Sequence, residues 1–106
     1  MFIQYDAYDL FEFFENDPIL VGDAEAGEFI YIYEYNNFKL ILSISVYEKS
    51  IDLSITFKEN IVISQRLKSV NKIEKTNFNE LKIYADNNTQ ILLKKEPQIG
   101  AIITNQ

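Results

Sequence analysis

The sequence contains no histidine, no cysteine and no tryptophan. Without histidine and cysteine, the chain cannot build a Ser-His or Cys-His nucleophile or a zinc site with these ligands. It has three glycines, Gly22, Gly27 and Gly100, which are too scattered to form a phosphate-binding loop. The lack of cysteine also excludes disulfides and fits a reducing compartment.

Carboxylate pairs are the remaining candidates for chemistry. Asp9 with Glu12, or Asp23 with Glu25, could flank a glycosidic bond. Such a pair needs a cleft and one raised pKa, and an exposed acidic segment provides neither. The spacing of the acids matches no calcium-binding loop. We therefore expect no enzyme activity, no metal site and no cofactor.

The N-terminal residues lack the basic start and apolar block of a signal peptide, and no apolar run approaches the roughly 20 residues that span a bilayer. We expect a cytoplasmic protein that folds as one domain over residues 1–106. A chain of 106 residues buries roughly 65% of its unfolded surface, which is enough for a core without disulfides or metal.

Basic residues are missing from the first 38 positions, where the charge is −9, whereas the rest of the chain carries +3. This first third also holds eleven of the fifteen aromatic residues. An acidic surface repels nucleic acid and anionic lipid, so neither is an expected partner. The asymmetry indicates a surface that meets a positively charged partner.

Residues 6–16 predict a helix with Asp6 as its N-cap and Asp9 in its first turn. Its apolar stripe consists of Ala7, Leu10, Phe11 and Phe14, at spacing i, i+3, i+4 and i+7. Tyr8 and Phe13 lie outside this stripe, and they are either covered by a second layer or exposed as anchors. Pro18 is expected to end the helix, because it disfavours helical geometry at Asp17.

From Glu28 the apolar period becomes two, which predicts strands. A two-residue turn at Asn36-Asn37 places Tyr35, Tyr33, Tyr31 and Phe29 opposite Phe38, Leu40, Leu42 and Ile44, and Glu34 opposite Lys39. We expect the tyrosines to lie in the core with their hydroxyls at its rim.

The following segments predict further hairpins. A turn at residues 47–50 pairs Val46 with Ile51, Ile44 with Leu53 and Leu42 with Ile55, and a loop at residues 58–60 pairs Phe57 with Ile61 and Ile55 with Ile63. Residues 66–80 are less regular; Val70 and Ile73 suit a short strand, with Lys68, Lys72 and Lys75 in water. Strands around Leu81–Ala85, Ile91–Leu93 and Ile99–Ile103 follow.

The predicted fold class is α+β. One N-terminal helix precedes an antiparallel meander of six to eight strands, curled into a half-barrel or a two-layer sandwich. Three isoleucines, Ile30, Ile32 and Ile41, interrupt the polar outer face. Either residues 66–80 or the C-terminal strand covers them, or they form an exposed patch for a partner.

In size, acidity, cytoplasmic character and lack of catalytic residues, the whole chain resembles the small acidic immunity proteins of bacterial toxin systems, including contact-dependent and other polymorphic toxins. The resemblance implies an inhibitor that binds and neutralises a cognate toxin with a basic surface, such as a nuclease. Two other functions stay open: an adaptor that binds through a sheet edge or apolar patch, and a half-barrel that binds a small ligand.

Charge and expected exposure select the residues for partner binding. The predicted contacts are Asp6, Tyr8, Asp9, Glu12, Phe13, Glu15, Asp23, Glu25 and Glu28, with the two aromatic residues as anchors.

Overall fold

The computed structural model describes residues 2–105, apart from the side chains of Ala24 and Asn87. In these residues it contains one α-helix and nine β-strands. In chain order they are α1 (Ala7–Phe14), β1 (Ile19–Leu20), β2 (Glu28–Tyr35), β3 (Phe38–Ser45), β4 (Ser50–Phe57), β5 (Asn60–Leu67), β6 (Val70–Asn77), β7 (Glu80–Ala85), β8 (Gln90–Lys94) and β9 (Gly100–Thr104). Short 3₁₀ helices, Ala24–Ala26 and Asp86–Asn88, lie in two of the loops.

The strands form two antiparallel sheets. The first has the order β1-β2-β3-β4-β5, and the second has the order β6-β7-β8-β9. Apolar side chains from both sheets and from α1 form one buried core. The predicted helix followed by an antiparallel meander is therefore confirmed, and the strand beyond the expected eight is the two-residue β1.

The first hairpin has the predicted register. Asn36 and Asn37 have φ angles of 51° and 70°, the left-handed geometry that a two-residue turn requires. Tyr35 pairs with Phe38, and the pairing continues to Glu28 and Ser45 at the far end of the strands. On the outer face Glu34 lies 3.7 Å from Lys39, which confirms the predicted charge pair.

The second hairpin differs from the prediction by two residues, since Ile44 pairs with Ile51 and Leu42 with Leu53. Val46, which the prediction placed inside the strand, lies in the loop of residues 46–49 between the paired Ser45 and Ser50. Its N–H donates to Gly27 O at 2.8 Å and its carbonyl accepts from Ile3 N at 3.1 Å.

The third hairpin confirms the pairing of Ile55 with Ile63, whereas the predicted pairing of Phe57 with Ile61 is wrong. Lys58 and Glu59 both adopt positive φ and make a two-residue turn that sets Phe57 opposite Asn60. A register shift between Ile55 and Thr56 then introduces a bulge in this edge pair.

The helix begins as predicted and ends earlier. Asp6 Oδ1 accepts a 2.8 Å hydrogen bond from Tyr8 N, which confirms the N-cap. The helix stops at Phe14 because Glu15 adopts left-handed geometry and donates its N–H to Phe11 O. Termination by Pro18 was therefore the wrong mechanism.

The second sheet leaves the outer face of the first sheet uncovered. Val70 and Ile73 lie in β6, as predicted, and both side chains belong to the shared core. The expectation that residues 66–80 or the last strand cover Ile30, Ile32 and Ile41 is therefore wrong. No helix in residues 2–105 is long and apolar enough to cross a membrane.

Candidate interaction surface

The acidic first third of the chain occupies one edge of the molecule. In the first sheet β2 pairs with β3 on its inner side and with the short β1 on its outer side, and α1 packs against β2 and β6. The carboxylates of residues 6–34 lie on α1 and its caps, in the segments on either side of β1 and on β2, and we name these carboxylates the acidic edge.

Two glutamates, Glu12 of α1 and Glu15 at its C-cap, are held by lysines from β6 and from the segment after β8. Glu12 Oε1 lies 2.6 Å from Lys75 Nζ, and Glu15 Oε2 lies 3.1 Å from Lys95 Nζ. The expectation that Lys75 lies in water is wrong, because its side chain is mostly buried in this ion pair. These two acids thus fasten the helix to the second sheet in addition to facing solvent.

Lys95 is the most enclosed charged group of this surface. Its side chain is 7% exposed, and Nζ donates to Phe13 O at 2.7 Å. The ammonium group also lies 5.0 Å from the centre of the Phe13 ring and 4.8 Å from that of the Tyr33 ring. A cation at this position satisfies a terminal helix carbonyl and complements the negative end of the helix dipole.

The helix is rotated relative to the predicted apolar stripe. The buried residues are Leu10, Phe13 and Phe14, whereas Phe11 is 46% exposed. Phe13 is fully buried and stacks edge-on against Phe14, so of the two alternatives for this residue the structure has the covered ring and not the exposed anchor. The reason is the alternative spacing 10, 13, 14, which buries two aromatic rings and leaves Phe11 outside.

The opposite side of α1 combines aromatic rings with acids. Tyr8, Phe11, Glu12 and Glu15 follow the spacing i, i+3, i+4 and i+7, and we name these four residues the helix face. Tyr8 is 65% exposed, so it is available as an anchor. The helix face keeps the predicted combination of anchors and carboxylates, with Phe11 in the place of Phe13.

Phe78 is a neighbouring aromatic residue that was not among the contacts predicted from the sequence. It lies between β6 and β7, is 73% exposed, and its ring centre is 4.9 Å from Lys75 Nζ. The same ammonium group binds Glu12, so Phe78 lies beside the helix face. Its sequence signal was a large apolar residue in a polar turn between two asparagines, Asn77 and Asn79.

Several other predicted contact residues have no cation nearby. Within residues 2–105, no lysine or arginine nitrogen lies within 4 Å of a carboxylate of five predicted contacts: Asp6, Asp9, Asp23, Glu25 and Glu28. The same holds for Asp17, which was not among the predicted contacts. Asp23 and Glu25 are exposed around the 3₁₀ helix Ala24–Ala26, and Glu28 begins β2.

An open groove of about 640 Å³ separates the end of α1 from the second half of β2. Glu15, Asn16 and Asp17 line one side, and Tyr33, Glu34 and Tyr35 line the other. The groove therefore combines three carboxylates with two tyrosine rings.

The tyrosines of β2 become less buried along the strand. Tyr31 is buried and stacks on Phe14 at 5.1 Å between ring centres, whereas Tyr35 is exposed. Burial raises the pKa of Tyr31 to about 12, with smaller contributions from Tyr5 and Asp17. Burial also raises the pKa of Tyr33, and the nearby negative charge of Glu15 adds to this effect. The predicted core position thus holds for Tyr31 but not for Tyr35.

The outer face of the first sheet carries an apolar patch. Ile32 pairs with Ile41, and Ile30 pairs with Ile19 of β1, on the side away from the core. Ile19 is exposed and the other three are half-buried. We name these four residues the isoleucine patch.

Metal binding has no structural candidate in the described part of the chain, since no group of three or more acidic side chains is placed to hold an ion.

Comparison with known proteins identifies a likeness of fold. No protein-family model matches the sequence, and no curated protein matches it significantly. The structure is similar to a chain of a solved structure described as a contact-dependent growth inhibition toxin–immunity protein complex from Klebsiella pneumoniae 342. The TM-score is 0.81 and the sequence identity is 21%, and the match covers 100% of both chains. The general resemblance to the immunity proteins of toxin systems is thereby supported by a shared fold.

Proposed function

We propose that this protein is an immunity-type inhibitor that binds a cognate toxin and neutralises it through its acidic edge. The observation that carries the proposal is the full-length likeness to a chain of a toxin–immunity complex. The proposed toxin has a basic surface, such as the substrate cleft of a nuclease. The proposed site of action is the cytoplasm, and the inhibitor itself performs no chemistry.

The charge distribution supports this proposal physically. Long-range attraction between an acidic edge and a basic cleft speeds diffusional encounter, which suits an inhibitor that must capture its toxin before the toxin acts. Two lysines lie beside the edge, Lys75 of β6 and Lys95 after β8, and they are already paired with Glu12 and Glu15. The unpaired acids therefore keep the edge negative.

The exposed aromatic rings support tight retention after encounter. Binding energy in protein interfaces concentrates in a few well-packed anchors, often aromatic residues, surrounded by polar contacts. Tyr8, Phe11 and Phe78 are exposed beside Glu12 and Lys75. A standard interface removes roughly 800 Å² from each partner, which is about one eighth of this protein's 6513 Å² surface.

The proposed contact residues are those of the sequence prediction without Phe13 and with the two exposed aromatic rings added. They are Asp6, Tyr8, Asp9, Phe11, Glu12, Glu15, Asp23, Glu25, Glu28 and Phe78.

The adaptor function is a second candidate, and the isoleucine patch is the observation that favours it. An adaptor that binds through this patch would assemble by apolar burial, and its complex would be insensitive to salt. A half-barrel with an enclosed apolar pocket is not favoured, because the side chains between the sheets form the packed core and the groove beside α1 opens to solvent.

Co-expression tests the proposed function. We propose that the adjacent upstream gene encodes the toxin. This gene is expressed from an inducible promoter in cells that do or do not express this protein. We expect the neighbour to arrest growth and this protein to restore it. A harmless neighbour, or one whose toxicity this protein does not relieve, would contradict the proposal.

A further inference from the structure

The second half of β2 is an unpaired strand edge. On its outer side, β1 pairs only with Phe29 and Ile30. Beyond them, Asn16 Nδ2 donates to Ile32 O at 3.1 Å, so a side chain replaces the missing strand at this carbonyl. No strand of the described residues pairs with the outer side of β2 from Ile32 to Tyr35.

Strand geometry identifies the free backbone groups. The two-residue turn makes Tyr35 and Phe38 a hydrogen-bonded pair, and hydrogen bonding to a given neighbour alternates along an antiparallel strand. The N–H and C=O of Tyr33 and Tyr35 therefore point to β3, whereas those of Glu34 point to the outer edge. Glu34 thus offers one donor and one acceptor to an incoming strand.

The groove next to this edge has the size of a binding site. Its volume of about 640 Å³ falls within the usual range of roughly 300–1,000 Å³ for ligand pockets. Ile19 and Ile32 add apolar surface to the tyrosine side of the groove. An extended peptide segment laid along β2 would bury these groups and pair its backbone with Glu34.

The charge of the groove specifies the kind of segment. Its lining includes the carboxylates of Glu15, Asp17 and Glu34 and no lysine or arginine. Lys95 and Lys39 contact two of these acids from outside the lining, while Asp17 has no cation within 4 Å in residues 2–105. The Tyr35 ring is exposed and can face a cation.

We propose that this groove receives an extended, basic segment of the toxin, which adds as a strand to β2 at Glu34 and sets a lysine or arginine beside Asp17. The inference rests on the proposed function and specifies how the toxin is held. Charge complementarity favours this edge over those of the second sheet: β9 carries no charged residue, and β6 carries two lysines and one glutamate. The β5 edge is disfavoured because a bulge interrupts it.

Amide hydrogen exchange tests the added strand. The exchange rate of the Glu34 amide is measured by NMR in the free protein and in its complex with the upstream gene product. We expect the Glu34 amide to exchange rapidly when free and at least about tenfold more slowly in the complex. The Tyr33 and Tyr35 amides serve as internal controls, since β3 already protects them in the free protein. An unchanged Glu34 rate in a tight complex would overturn the strand addition.

Charge reversal tests the basic segment. Asp17→Lys should weaken binding of the upstream gene product by at least about tenfold, and Asp17→Asn should weaken it less. Asp86→Lys is the matched control, because Asp86 is also exposed and has no ion pair in the described structure but lies between β7 and β8 of the second sheet. It should change affinity less than about twofold. Equal effects of the two reversals, with both variants folded, would overturn the proposal.

The two experiments separate this inference from the proposed function. Suppose that the wild-type protein binds and neutralises the toxin, but the Glu34 exchange rate is unchanged in the complex and Asp17→Lys binds no more weakly than the control. The groove is then not the binding site, and the inhibitor function stands. If the wild-type protein neither binds nor neutralises the upstream gene product, the proposed function fails and this inference fails with it.

Discussion

The ammonium group of Lys95 donates a 2.7 Å hydrogen bond to the backbone carbonyl of Phe13, at the end of the only α-helix in residues 2–105. The same group contacts the Phe13 and Tyr33 rings and pairs with Glu15. One side chain from the segment after β8 thus ties the helix to the first sheet, and it positions both the helix face and the groove.

Removal of this cation should destabilise the fold. In Lys95→Met the Phe13 carbonyl loses a buried donor, and we expect the free energy of unfolding to fall by about 1–3 kcal/mol. Lys94→Met is the control, because Lys94 has no ion pair or side-chain hydrogen bond in the described structure, and it should stay within about 0.5 kcal/mol. Urea unfolding measures both; equal midpoints for the two variants would contradict the role of Lys95.

The rotation of α1 predicts unequal effects for two phenylalanines. Phe13→Ala should lower the free energy of unfolding by about 3–5 kcal/mol, because the ring is fully buried. Phe11→Ala should lower it by less than about 1 kcal/mol, because nearly half of that side chain faces water. Thermal unfolding of the two variants distinguishes them. A larger destabilisation by Phe11→Ala than by Phe13→Ala would support the apolar stripe predicted from sequence.

Phe11 should instead matter for binding. As an exposed anchor on the helix face, Phe11→Ala should raise the dissociation rate of the toxin complex by about tenfold or more. Ile61→Ala is the control, because Ile61 is an exposed apolar residue in β5, at the opposite end of the first sheet from β1. Surface plasmon resonance measures both rates. If the Phe11→Ala complex dissociates no faster than the Ile61→Ala complex, Phe11 does not contribute to the interface.

Tyr31 should make stability fall at high pH. Its pKa is raised from 10.0 to about 12 in the folded protein, chiefly by burial, so the folded state favours the neutral phenol. The stability that this preference adds to the folded state is fully present below pH 10 and is lost as the pH rises from 10 towards 12. In Tyr31→Phe, the drop in unfolding free energy over this interval should be smaller than in the wild type. Urea unfolding between pH 9 and pH 11.5 compares them, and identical slopes would contradict the burial effect.

The first hairpin was predictable because its determinants are local. Asn36 and Asn37 adopt positive φ readily, and the two-residue turn they form fixes the register of β2 against β3. The second hairpin was not predictable to the same degree. A shift by two residues leaves every side chain on its face, so alternation alone does not distinguish the two registers. In the structure Val46 lies in the loop and bonds to Gly27 and Ile3, which lie far from it in the sequence, instead of pairing with Ile51.

The helix shows a similar division. Its existence and its N-cap at Asp6 follow from nearby residues, but Leu10, Phe11, Phe13 and Phe14 allow two apolar stripes. The choice depends on packing against Tyr31 and on Lys95, which lies about 80 residues away in the sequence. The pairing of Glu12 with Lys75 is equally non-local, so the acids of the helix had no visible structural partner at the level of sequence.

These pairings change which acid best tests the acidic edge. Reversal of Glu12 or Glu15 would break an ion pair with Lys75 or Lys95 and confound stability with binding. Asp9 lies on the same helix and has no cation within 4 Å in the described residues. Asp9→Lys therefore changes the charge of the edge without breaking an ion pair of the described residues.

The most direct measurement is the association rate constant of this protein with the upstream gene product, determined by stopped-flow fluorescence over a range of salt concentrations. Steering by the acidic edge predicts fast association that slows steeply as salt rises, with a nearly constant dissociation rate. Asp9→Lys should bind more slowly than the wild type at low salt, and the two should converge at high salt. An association rate that is independent of salt, or no binding at all, would contradict an inhibitor that captures its toxin through this edge.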